Sequence, residues 1–185
     1  MGNQSMSFCK FKGMRNFLVV FLLFSLMGCY YKHHTNELDQ VIIPDDLFLS
    51  TQYSDSYQEL MQSKFKILVY IDSTACGNCW AKSIVDWYDI VNYVESKESL
   101  VSLLIIFAPK RNEIKLWKDL SEYDPLNYPI FIDTGYSMAI NNDFSSTKGS
   151  FMGLLDEQGK VVLIEHPRSS EENWKKYKLI IESYE

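Results

Sequence analysis

The tetrapeptide Cys76-Gly77-Asn78-Cys79 constrains this chain more than any other stretch. It stands between an apolar run, Ile67-Leu68-Val69-Tyr70-Ile71, and a helical pattern that begins at Trp80. The expected placement is a C-x-x-C at a strand-to-helix junction. A helix N-terminus presents unpaired backbone N–H groups and a partial positive charge, so a cysteine there ionises more readily. The thiolate is the reactive form of cysteine. A second sulfur one helical turn further on can reach the first. The chemistry that suits such a pair is reversible dithiol–disulfide exchange.

The other informative stretch is N-terminal. Lys10, Lys12 and Arg15 precede the apolar run from Phe17 to Met27, which is too short to span a bilayer as a stable helix. A basic region followed by such a run is expected to be a signal peptide, residues 1–28. Leu26-Met27-Gly28-Cys29 resembles a bacterial lipobox. That resemblance implies cleavage before Cys29, a lipid anchor on it, and a place in the cell envelope facing the periplasm or the exterior. The polar residues that follow, within 29–42, read as a tether, leaving 43–185 as one domain. His33-His34 in the tether is better read as solvated linker than as a metal site.

Losing the leader removes three of the 18 basic side chains and none of the 24 acidic ones, so the net charge falls by three from −6. A chain this acidic is not expected to bind nucleic acid. Of the four cysteines, Cys9 lies in the leader and Cys29 would carry lipid. Cys76 and Cys79 are then the only thiols of the exported domain, in a compartment where disulfides persist. A pair this close in sequence closes almost no loop, so a purely stabilising role gains little.

The remaining pattern alternates strands and helices. A helix is expected over 54–63, opened by Ser56-x-x-Glu59, and a buried strand over 66–71. Trp80, Ile84, Trp87, Tyr88, Val91 and Val94 mark a helix over 77–96, with its tryptophans in the core and Trp80 at the rim of the motif. A strand over 100–108, a helix over 111–123, a strand over 129–133 and a short helix over 137–141 follow. Phe151–Leu155 and Lys160–Glu165 flank Asp156-Glu157-Gln158-Gly159, a hairpin signal with glycine where φ is positive. Ser169-x-x-Glu172 is expected to cap a terminal helix. Val41-Ile42-Ile43-Pro44 reads as a short edge segment. Strands joined by helices call for parallel pairing, with the hairpin adding antiparallel edge strands.

This order, the C-x-x-C and the hairpin together resemble the thioredoxin-like fold in its bacterial lipoprotein and cytochrome-maturation variety. The resemblance implies an α/β domain: a central mixed sheet flanked by helices, with a strand and helix inserted before the terminal hairpin at Pro129–Asn142. It also implies a thiol–disulfide oxidoreductase without a cofactor or metal. Cys76 would attack, Cys79 would resolve, and Gly77, Asn78 and Trp80 would tune the pair. Its partners would be protein thiols and disulfides and an upstream redox protein. The chain departs from that family in three places. No proline stands near Ser150, where the family has a cis-proline. Ala75 replaces a tryptophan before the first cysteine. Tyr70 lies on the strand where a buried acid is common, with Asp72 the nearest carboxylate.

Two other readings compete. A non-enzymatic binding module could keep the fold and a static disulfide, and the missing proline favours it. A peroxide reductase of the peroxiredoxin type is suggested by Thr74-x-Cys76, although the spacing is one residue short. A zinc site would need two further ligands, and His166 is the one distant candidate.

Overall fold

The computed structural model describes residues 38–53, 56–74, 84–97, 99–144 and 150–185. Leu38–Glu185 form one compact unit. Its strands are β1 (Phe48–Leu49), β2 (Phe65–Ile71), β3 (Val101–Phe107), β4 (Ile130–Ile132), β5 (Ser150–Asp156) and β6 (Val161–Leu163). The described α-helices are α1 (Ser56–Gln62), α2 (Tyr88–Glu95), α3 (Ile114–Tyr123), α4 (Ser137–Asn141) and α5 (Glu171–Glu182). A single-turn 3-10 helix, Ile84–Trp87, leads into α2.

The six strands form one sheet in the order β1-β4-β3-β2-β5-β6. β2, β3 and β4 pair in parallel, and β5 runs antiparallel to β2 along its whole length, from Phe65↔Asp156 to Ile71↔Ser150. The hairpin thus contributes an internal strand, β5, and one edge strand, β6, rather than two edge strands. β1 has only two residues and no alternating apolar signal, so the sequence pattern did not reveal it. It pairs antiparallel with β4 and closes the opposite edge.

Every residue of β2 and β3 is buried, as expected of strands covered on both faces. Phe65, Ile67, Val69 and Ile71 meet Trp87, Ile90, Val91, Val94, Trp117, Tyr177 and Ile181 on the first face, which α2, α3 and α5 cover. Leu68 and Tyr70 meet Phe131, Met138, Phe144 and Phe151 on the second, beneath α1 and α4. Lys66 is the polar intruder in β2. It is buried, and its Nζ donates to the Ser63 carbonyl at 2.9 Å, just past the end of α1. A cation suits a helix C-terminus, but burial lowers the Lys66 pKa from its ordinary value.

One helix start differs from the sequence reading. α5 is capped by Ser170, not Ser169: the Ser170 hydroxyl accepts from the Asn173 amide at 3.1 Å. Ser169 instead turns its Oγ to accept from the Asn173 side chain at 2.7 Å. The described part of the helix expected over 77–96 begins as the 3-10 turn at Ile84.

Residues 38–49 form a strap across the second face. Gln40 bridges Lys160, the Val41 amide donates to the Gly159 carbonyl at 2.8 Å, and the Val161 amide donates to Asp39 at 2.9 Å. Ile42 exchanges two hydrogen bonds with the Asn142 side chain. The strap ends as β1 on the far edge. Residues 38–42, read from sequence as the end of a tether, are therefore held by backbone pairing, and Val41 is buried.

Candidate functional site

The parallel strands end in line: Ile71 pairs with Phe107, and Phe107 with Ile132. Backbone bonds extend this alignment, with the Ala108 amide donating to Ile71 at 2.8 Å and the Asp133 amide to Phe107 at 2.7 Å. Crevices beyond the carboxyl ends of parallel strands are where α/β sheets commonly place ligands and chemistry.

At this end β2 stops in a turn built by Asp72. Its Oδ1 accepts from the Thr74 amide at 2.7 Å and from the Thr74 hydroxyl at 2.6 Å. An aspartate that satisfies the backbone two residues on is a turn-former, and it takes the chain out of the ladder here. Thr74 is two residues before Cys76. The chain is described again from Ile84, where helical residues return to cover the first face. Cys76, Gly77, Asn78, Cys79 and Trp80 lie outside the described residues, as does Cys29. The same holds for Ala75, His33 and His34.

Three features beneath this end are set by burial and packing. Asp133, 1% exposed, ends β4 with both carboxylate oxygens engaged. Oδ1 accepts from the Ser137 amide at 2.8 Å and Oδ2 from the Met138 amide at 2.9 Å, which fixes the start of α4. The signal available was Asp133-x-x-x-Ser137, an acid just before a helix. Trp117 stacks on Phe107 with ring centroids 4.3 Å apart, and both line a small cleft with Ile71, Asp72, Pro109 and Glu113. The third feature is Tyr70.

Tyr70 is fully buried, stacked on Phe144 at 4.9 Å, and its hydroxyl has no hydrogen-bond partner among the described residues. Burial pushes its phenol well above the ordinary value, and the carboxylates of Asp133 and Asp72 add to the shift. It stays neutral at any working pH. A buried hydroxyl without a partner costs about 1–3 kcal/mol. Tyr70→Phe is therefore expected to raise the unfolding free energy by about 1 kcal/mol in a denaturant titration. A loss of similar size would show that the hydroxyl is hydrogen-bonded in solution.

Among the described residues, His166 belongs to no group of three His, Cys, Asp or Glu that could hold a metal ion. It packs against the Trp87 indole, with ring centroids 6.0 Å apart. No helix among the described residues is long and apolar enough to cross a membrane.

No protein-family model matches the chain, and no curated protein matches it. Solved structures do. A thioredoxin-like protein in its oxidised form aligns with a TM-score of 0.50 at 13% identity, over 80% of this chain and 98% of that one. The thioredoxin domain of a thiol-disulfide oxidoreductase from Bacteroides vulgatus aligns at 0.45 and 14% identity, over 65% and 81% of the two chains. An exposed lipoprotein thioredoxin from Streptococcus pneumoniae aligns at 0.45 and 16% identity, over 66% and 87%. The chain has the thioredoxin-like fold, a central mixed sheet flanked by helices.

Proposed function

We propose that this chain is a membrane-anchored thiol–disulfide oxidoreductase acting outside the cytoplasm through Cys76 and Cys79. The observation that carries the reading is the Asp72 turn. It ends the central strand β2 two residues before Cys76, and helical residues resume five residues after Cys79. In sequence, the motif therefore falls between the end of β2 and the helical turn that starts at Ile84. A cysteine at the start of the helix would have its thiolate favoured by the helix dipole and by free N–H donors.

The exchange runs in two displacements. The Cys76 thiolate attacks one sulfur of a substrate disulfide, the substrate S–S bond breaks, and one substrate thiolate leaves. The Cys79 thiolate then attacks Cys76 in the mixed disulfide and expels the second substrate thiolate. Two electrons pass from the dithiol to the substrate, and Cys76–Cys79 is left oxidised until an upstream dithiol reduces it. Run backwards, the same steps oxidise a substrate dithiol. The lipobox-like Leu26–Cys29 supports a lipid anchor on Cys29, and Cys29→Ser would move the protein out of the membrane fraction.

Cys76→Ser is expected to abolish disulfide exchange, and Cys79→Ser to accumulate a mixed disulfide visible as a higher-mass band without reductant. Exchange that survives Cys76→Ser would remove the assignment. The binding-module reading has one observation in its favour: Ser150, not a proline, opens β5 opposite Ile71. Redox titration with thiol trapping separates the two. A dithiol that oxidises and reduces reversibly in the folded chain supports the enzyme, whereas a disulfide that yields only on unfolding supports the module.

A further inference from the structure

The loop after β6 reaches across to the helical turn at Ile84–Trp87, and the contact runs through His166. β6 runs antiparallel to β5, which runs antiparallel to β2. The loop therefore leaves the sheet at the same end as β2. His166 Nδ1 accepts from the Arg168 amide at 3.0 Å, closing a turn two residues long. The His166 carbonyl accepts from the Ser169 amide at 3.1 Å and from the Ser169 hydroxyl at 3.0 Å. One ring face packs on Trp87, and the Arg168 guanidinium lies 5.7 Å from the same indole. Arg168 also reaches the Asp86 carboxylate at 3.7 Å.

We propose that His166 is a pH-sensitive latch on Arg168: neutral, its Nδ1 holds the Arg168 amide and so sets that side chain against Asp86 and Trp87 of the helical turn; protonated, it gives up the amide and loosens Arg168 there.

The reason is the bond at Nδ1. A ring nitrogen accepts a hydrogen bond only while it carries no proton. Protonation would set an imidazolium N–H against the Arg168 N–H, two donors where there was one bond. Arg168 and Glu165 belong to the His166 loop and Asp86 to the helical turn, while α5 carries Glu171, Glu172, Lys175, Lys176, Lys178 and Glu182. One oxygen of Glu165 and the Asp86 carboxylate are already engaged, while the other Glu165 oxygen, Oε2, is buried without a hydrogen-bond partner among the described residues. Glu165 Oε1 holds Lys176 at 2.7 Å, and Asp86 faces Arg168. The Trp87 face would favour a cation, but Arg168 already lies over it. Partial burial of the ring, on a residue that is exposed as a whole, and the nearby Arg168 both hold the His166 pKa below its ordinary value. With a depressed folded pKa, the stabilising contribution is complete above the ordinary imidazole range and is lost as pH falls through the folded value. The latch stands on these contacts alone and does not depend on the thiol chemistry.

Amide exchange at Arg168 in the full chain tests it, read as protection relative to the unstructured rate at each pH. Between about pH 7.5 and about pH 5, protection is expected to fall about fivefold, the worth of one ordinary hydrogen bond. In His166→Asn the side-chain oxygen can accept the same amide without titrating, so protection should stay high at both pH values. In His166→Ala it should be low at both. Protection at Arg168 that stays constant while the His166 ring carbons titrate would overturn the proposal. So would a pH dependence that survives in His166→Asn.

Discussion

Asp133→Ala is expected to cost about 3 kcal/mol of unfolding free energy, enough to remove much of the stability of a domain this size. The carboxylate is 1% exposed, and its two oxygens satisfy the Ser137 and Met138 amides. Alanine would leave both donors without a partner next to Met138, which is itself fully buried. The charge matters less than the number of acceptors. Asp133→Asn keeps one oxygen and is expected to lose about half as much. Urea titration of the two variants checks the ratio. Equal losses would mean that the charge, not the acceptor count, fixes the start of α4.

Gly159→Ala should be similarly damaging, at about 3 kcal/mol, and for an unrelated reason. Gly159 has φ +80°, in the region that L side chains avoid, which alone costs about 1–2 kcal/mol. A Cβ there would also stand 2.5 Å from the Val41 carbonyl oxygen. That atom is backbone and cannot swing aside, so the strap must shift and its bond from the Val41 amide to Gly159 weakens. The same calorimetric scan on Gly135→Ala provides a control. A Cβ at Gly135 would meet only the Ser137 Oγ at 3.2 Å and the Asp46 carboxylate at 3.6 Å, both side-chain atoms. A Gly159 variant that melts with the Gly135 variant would show that the strap yields without cost.

Both positions bear on how much of this fold the sequence disclosed. Gly159 was legible, because Asp-x-x-Gly between two apolar runs is a local signal and the turn it forms is local. β2 and β3 were legible for the same reason, as unbroken apolar runs. Asp133 was not, because its importance comes from burial, and an isolated aspartate beside a strand carries no sign of burial. β1 was hidden because two residues cannot show a period. The shift of the α5 cap from Ser169 to Ser170 was hidden because adjacent serines compete for one role and side-chain geometry decides between them. The site divides along the same line. The cysteine motif is a sequence pattern, whereas the packing of His166 on Trp87 joins residues 79 positions apart and exists only in the folded chain.

The strap along residues 38–49 has a consequence for when the molecule can finish forming. Gln40 waits for Gln158 and Lys160, and Ile42 waits for Asn142, one hundred residues further along. Contacts this remote in sequence are slow to close. In a chain that emerges N-terminus first, the strap leaves early, and its first residues, Asp39 to Val41, cannot complete their pairing until the β5–β6 turn has followed them out. Its apolar residues, Val41 and Ile43 among them, are exposed for nearly the whole of synthesis. These first described residues are thus among the last to be placed, and any factor that shields the nascent chain has that interval in which to act.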